Sequence, residues 1–144
     1  MAICRYFEAL HPEPALMGTT AEEKALIEMW HQRAYDGAMG GAAEVFRNTH
    51  PAFVDRSLPG YAVPLPQIQA LVARGHQRLD QFFSIFDRQL ANNPFVAGDR
   101  FSLADITALC STDFAKFAGV SIPDQCAHFA RWYAQVSARP SARA

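Results

Sequence analysis

Pro94-Phe95-Val96-Ala97-Gly98-Asp99-Arg100-Phe101-Ser102-Leu103-Ala104-Asp105-Ile106 ends one segment and begins a helix. Pro94, behind Asn92-Asn93, stops the preceding element, and the stretch from Phe95 to Arg100 reads as a turn. Ser102 then takes the N-cap, Asp105 stands at the third helical position of a capping box, and Phe101 is placed to staple onto Ile106. Read this way, the Ser102 and Asp105 pair is structural, because no histidine follows in register to complete a hydroxyl and carboxylate relay. The helix so begun is expected to bury Leu103, Ile106, Thr107, Cys110, Phe114 and Phe117 and to end near Gly119.

The rest of the chain has the same helical period. Upstream, Ile68, Val72, Gly75, Leu79, Phe82, Phe83, Phe86 and Leu90 recur at three-and-four spacing. Before them a helix opens at Thr20, with Glu23 completing a capping box, and runs to about Asn48. It carries two stripes: Ile27, Trp30, Ala34, Ala38, Gly41, Val45 and, beside it, Tyr35, Met39, Ala42, Phe46. Gly37, Gly40 and Gly41 inside it each cost about 1 kcal/mol relative to alanine, which points to a kink or a close neighbour. Residues 2–10 form a short helix ended by His11-Pro12-Glu13-Pro14. Pro123 is expected to open the last helix, with Cys126, Phe129, Ala130, Tyr133 and Val136 inward, before Arg139-Pro140 and a frayed tail over 141–144. The expected fold is an all-α bundle of about five helices.

Composition narrows the chemistry. The 144 residues are enough for one core without staples, and 13 Lys and Arg against 14 Asp and Glu leave a net charge of −1. That balance lacks the field that draws proteins onto nucleic acid or anionic lipid, and no apolar run is long enough to span a membrane. Neither nucleic acid nor membrane is an expected partner. Three widely spaced cysteines and no secretory leader fit a cytoplasmic protein. The five histidines form no metal-ligand pattern and are expected to be solvated or capping, so no metal is assigned. Cys110 and Cys126 fall on inward stripes and are expected to be inert. The small residues at 37, 38, 41 and 42 fit either close helix packing or the floor of an apolar pocket.

In order and motif the chain resembles the C-terminal helical domain of cytosolic glutathione S-transferases over essentially its whole length. Ala2-Ile3-Cys4-Arg5-Tyr6 is similar to the end of the last helix of that family's thioredoxin-like domain. His11 through Gly18 resembles the interdomain linker, Glu28-Met29-Trp30 the early part of the long helix, residues 94–106 the capping box and staple, and Arg131-Trp132-Tyr133 through Arg139-Pro140-Ser141 the ending. The implied domains are 1–10, the tail of a thioredoxin-like domain; 11–19, the linker; and 20–144, the helical domain.

The resemblance implies a parent that attacks a hydrophobic electrophile with the glutathione thiolate. Glutathione is then a co-substrate, with no tightly bound cofactor, and the parent is a homodimer. The family's glutathione-binding Glu-Ser pair and its thiol-activating residue precede the position of Ala2, so no catalytic residue is assigned here and this chain alone is expected to be inactive. Tyr35, Met39, Ala42 and Phe46 are the candidates for the hydrophobic substrate site. Arg33 and Asp36 are the candidates for meeting the glutathione of a partner subunit. The alternative is a free-standing interaction or ligand-binding module without catalysis.

Overall fold

A computed structural model of the chain describes residues 1–142. Its helices are α1 (Ala2–Leu10), α2 (Ala21–Ala34), α3 (Gly40–Thr49), α4 (Gln69–Leu90), α5 (Leu103–Phe117) and α6 (Ala127–Ser137). A π-helical turn, Tyr35–Met39, joins α2 to α3 without a break, so these two form one rod and the bundle has five rods. No strand occurs among the described residues, and the fold is all-α as expected. Of the tail expected to fray, Ser141 and Ala142 lie in a 3₁₀ turn, while Arg143 and Ala144 lie outside the described residues.

The start of α2 is built as its sequence reads. Thr20 Oγ1 accepts the Glu23 N–H at 3.1 Å, and Glu23 accepts the Thr19 N–H at 2.8 Å and the Thr19 hydroxyl at 2.7 Å. The Thr19 N–H above all, then its hydroxyl and the Thr20 N–H, hold the Glu23 carboxyl down from 4.5 to about 2, with Arg100 adding to them. The folded pKa is depressed, so the stabilisation is complete above pH 4.5 and is lost as pH falls toward about 2. Glu23→Gln is therefore expected to flatten the pH dependence of the thermal midpoint across that window. An unchanged acid slope contradicts the assignment.

Both explanations for the rod's glycines apply. The π turn supplies the irregularity, and Arg78 of α4 donates into it at the Asp36 carbonyl. One turn later α3 and α4 cross with almost no separation: a Cβ built on Gly41 meets the Gly75 carbonyl at 3.0 Å, and one built on Gly75 meets the Gly41 carbonyl at 2.7 Å. Ala38 and Ala42 are fully buried, so the small residues there serve close packing. The core beside this crossing is aromatic. Trp30 stands edge-on to Phe86 at 5.1 Å, and Phe129 lies 5.1 Å from Phe83 and 5.0 Å from Trp132.

The inward face of α5 differs from the expected one. Its buried residues are Leu103, Ala104, Asp105, Ala108, Leu109, Ser111, Thr112 and Ala115, whereas Cys110 and Phe117 are exposed and Ile106, Thr107 and Phe114 are half-buried. The helix packs against α2, the π turn, α3 and α6, and small residues let four neighbours approach. Spacing selected the face of the large residues, whereas close packing with the neighbours buries the adjoining face of Ala104, Ala108, Ser111 and Ala115. Cys126 is buried as expected.

Pro123 does not open α6. It opens a turn closed by Cys126 N–H to the Pro123 carbonyl at 2.9 Å, and the helix starts at Ala127. The start is set from a distance, because Asp87 of α4 accepts the Phe129 N–H at 2.9 Å in the first turn. Trp132 is inside and Ala130 is exposed, reversing the expected inward set at those two positions.

The Ser102 and Asp105 pair is structural. Asp105 is fully buried; its Oδ1 accepts the Val96 N–H at 2.9 Å and Trp132 Nε1–H at 2.8 Å. Its Oδ2 accepts the Ser102 N–H at 2.9 Å and the Ser102 hydroxyl at 3.1 Å. Burial pushes this carboxyl up from its ordinary value, against the pull of the four donors. Phe101 packs 6.0 Å from Phe95, with the Arg139 guanidinium 3.9 Å from its ring centroid.

Candidate functional site

The rod of α2, the π turn and α3 presents different residues on its two open sides, and the sequence candidates divide between them. On one side the rod meets α5. His31, only 6% exposed, lies within 2.8 Å of Thr107 Oγ1 through Nδ1, and the Thr107 hydroxyl donates to the Leu103 carbonyl at 3.1 Å. With that proton committed, Thr107 Oγ1 accepts, so Nδ1 carries the hydrogen and Nε2 the lone pair. Burial pushes the His31 pKa down, which favours this neutral tautomer. His31 thus departs from the expectation of solvated or capping histidines; its four-and-three spacing from Ile27 and Ala34, the signal that could have found it, was not counted in the apolar stripe. His50 conforms, its Nδ1 accepting the Ala52 N–H at 3.2 Å.

Tyr35 follows one turn later, half exposed, with its ring 6.4 Å from that of His31. Met39 is half-buried and Ala42 fully buried, so Ala42 shapes this side from behind. Phe46 closes the strip in a cluster of rings: Phe114 at 5.5 Å and Phe117 at 5.3 Å from α5, and Phe53 at 5.3 Å from the following loop. Phe117 is 72% exposed. The residues of α5 that periodicity had assigned inward, Thr107, Cys110, Phe114 and Phe117, are thus spaced along the helix edge that flanks this open strip. Partial desolvation of the sulfur, with Asp113 nearby, pushes the Cys110 thiol up, so it is no ready thiolate.

On the other side, Arg33 and Asp36 line a groove of about 520 Å³ between α2 and α4, floored by Met29, Phe82, Ile85 and Phe86. Gly37 and Arg78 also border it. Gln32 donates to Asp36 at 3.0 Å, and the Arg33 guanidinium lies 5.0 Å from the Trp30 ring. The structure therefore does not bring Arg33 and Asp36 together with Tyr35 and Phe46. Among the described residues no three His, Cys, Asp or Glu side chains converge to hold a metal, and no helix is long and apolar enough to cross a membrane.

Residues 35–140 match the family model for the glutathione S-transferase C-terminal domain. Over 142 residues the chain is 32% identical to glutathione S-transferase 2 of Saccharomyces cerevisiae, an alignment covering 99% of this chain and 58% of that protein. The crystal structure of Gtt2 from Saccharomyces cerevisiae superposes with a TM-score of 0.83 at 31% identity, covering 99% of this chain and 65% of that one. A glutathione S-transferase domain-containing protein of Marinobacter aquaeolei superposes with a TM-score of 0.82 at 33% identity, covering 98% and 66%. The chain belongs to the glutathione S-transferase family and carries its C-terminal helical domain. It spans less than two thirds of each of these relatives.

Proposed function

We propose that the strip between the rod and α5 is the wall on which a glutathione transferase seats a hydrophobic electrophile. Glutathione and the activation of its thiol come from a thioredoxin-like unit facing this strip. The observation that carries the reading is the partly exposed run from Tyr35 beside His31 to Phe46 among Phe114 and Phe117. It is an apolar, polarizable surface with few charges, suited to orienting a carbon or sulfur electrophile and excluding water while the thiolate attacks. This chain's residues then tune which electrophile is accepted and leave the thiol pKa alone.

The same reading divides the chain into residues 1–10, which end the thioredoxin-like unit, 11–19, the linker, and 20–144, the helical domain. It is supported by α1, whose Ile3, Tyr6, Phe7 and Leu10 are all more than half exposed. On this reading Arg33 and Asp36, in the separate groove, meet the γ-glutamyl end of glutathione on a second copy in a cytoplasmic homodimer.

In the conjugating protein, Tyr35→Ala is expected to raise the Michaelis constant for 1-chloro-2,4-dinitrobenzene about threefold to tenfold, the worth of one aromatic contact. The constant for glutathione is expected to stay within about twofold. Steady-state kinetics with each substrate varied in turn measures both, and equal rises overturn the assignment.

A further inference from the structure

The loop leaving α3 is closed by short backbone turns and by the Leu65 N–H to the Arg56 carbonyl at 3.3 Å, and its Val54, Tyr61 and Val63 are more than half exposed. One side chain gathers it. Arg47 Nη1 donates to the Phe53 carbonyl at 2.8 Å, and Nη2 donates to the carbonyls of Arg56 at 2.7 Å and Leu65 at 2.9 Å. The guanidinium carbon also lies 5.6 Å from the Phe53 ring centroid. The far end of the loop is pinned separately, by Gln67 Nε2 to the Arg47 and His50 carbonyls at 3.1 and 3.0 Å and by Ile68 N–H to Asn48 Oδ1 at 2.9 Å. Arg47 therefore acts on the middle of the loop. Its Nε is buried without a partner, so the fork is placed for the three loop carbonyls at the expense of that donor.

Phe53, held under this clamp, stands edge-on to Phe46 at 5.3 Å and 72°, and Phe46 stands edge-on to Phe114 at 5.5 Å and 72°. We propose that Arg47 is a positioning residue: it sets Phe53 against Phe46 and so shapes that end of the wall for a flat aromatic ring in preference to a flexible alkyl chain. The inference rests on the electrophile-wall reading and adds to it a substrate shape and the residue that selects it. Rings arranged edge to face reward a planar guest with directional contacts that an alkyl chain does not make. A lysine at position 47 keeps the charge but has no planar fork to span three carbonyls.

The test is a fluorescence titration of this chain with N-phenyl-1-naphthylamine, followed by displacement with 1-octanol. Arg47→Lys is expected to weaken naphthylamine binding about fivefold and to leave the octanol competition constant within about twofold, with helicity by circular dichroism unchanged. Phe53→Leu, which keeps the clamp and removes the ring, is expected to do the same and serves if the lysine variant does not fold. Unchanged selectivity between the two probes in the folded variants overturns the role of Arg47 and Phe53. Phe117→Ala separates this from the underlying reading, since it is expected to weaken naphthylamine in any case. If wild-type chain binds neither probe, or Phe117→Ala binds as wild type, the electrophile wall is refuted and this inference with it.

Discussion

Asp105→Ala is expected to lower stability by about 4 kcal/mol, a large share of the 5 to 15 kcal/mol that holds a typical domain. Among the described residues the carboxylate is the one acceptor of Trp132 Nε1–H and the Val96 N–H, and it also takes both donors of Ser102. Removing it strands these groups in a fully buried site, where each unmet donor costs about 1 to 3 kcal/mol. The Ser102 hydroxyl can turn elsewhere, so the four losses are not a simple sum. At about 3 °C per kcal/mol for a chain of this length, the thermal midpoint should fall by roughly 12 °C. Asp105→Asn keeps one carbonyl oxygen for Val96 and Trp132 but turns an amide toward the Ser102 N–H, and is expected to cost about half as much. Thermal unfolding followed by tryptophan fluorescence measures both. A loss below about 1 kcal/mol in Asp105→Ala contradicts the role of this carboxylate as the joint between the turn, α5 and α6.

The capping signals that locate this joint were legible because they are local. Thr20 with Glu23 and Ser102 with Asp105 bring their partners within three residues, and both helices start where the sequence says. What was not legible depends on another element. The α6 start is set by Asp87, forty-two residues before Phe129, so Pro123 looked like a better beginning than it is. The buried face of α5 is chosen by its neighbours: Leu103, Ile106, Phe114 and Phe117 share one face of the helix, yet the adjoining face of Ala104, Ala108, Ser111 and Ala115 packs closest.

The site divides the same way. Tyr35, Met39, Ala42 and Phe46 share a stripe, and their common side of the rod follows from helical spacing alone. That Phe114 and Phe117 join them does not, because it needs α5 rotated to its observed face. Arg47 and Phe53 were invisible as a pair for a different reason. A loop clamp is a matter of carbonyl positions, and carbonyls carry no mark in the sequence.

Gly75→Val tests the geometry on which the site depends, with an expected loss of about 3 kcal/mol from overpacking. On an exposed helix, replacing glycine by alanine stabilises by about 1 kcal/mol, so the sign at this position is diagnostic. Here the added Cβ would lie 2.7 Å from the Gly41 carbonyl, 2.9 Å from Val45 Cγ2 and 3.1 Å from Glu44 Cβ. The first of these is backbone and cannot turn away, so α3 must move from α4 even for alanine, and the clash exceeds the gain in propensity. Gly75→Ala is accordingly expected to lose about 2 kcal/mol and valine more. Gly37→Ala is the control, because its Cβ would meet Phe82 Cβ at 3.4 Å in ordinary contact, and it should be neutral or stabilising. Chemical denaturation of the three variants decides the matter, and a Gly75→Ala chain as stable as wild type contradicts the tight crossing. The consequence reaches the electrophile wall: Phe46 sits on α3 five residues beyond Gly41, so a rod pushed off α4 carries its ring out of register with Phe114 and Phe117. The same Gly75→Val chain should therefore bind N-phenyl-1-naphthylamine more weakly even at temperatures where it remains folded.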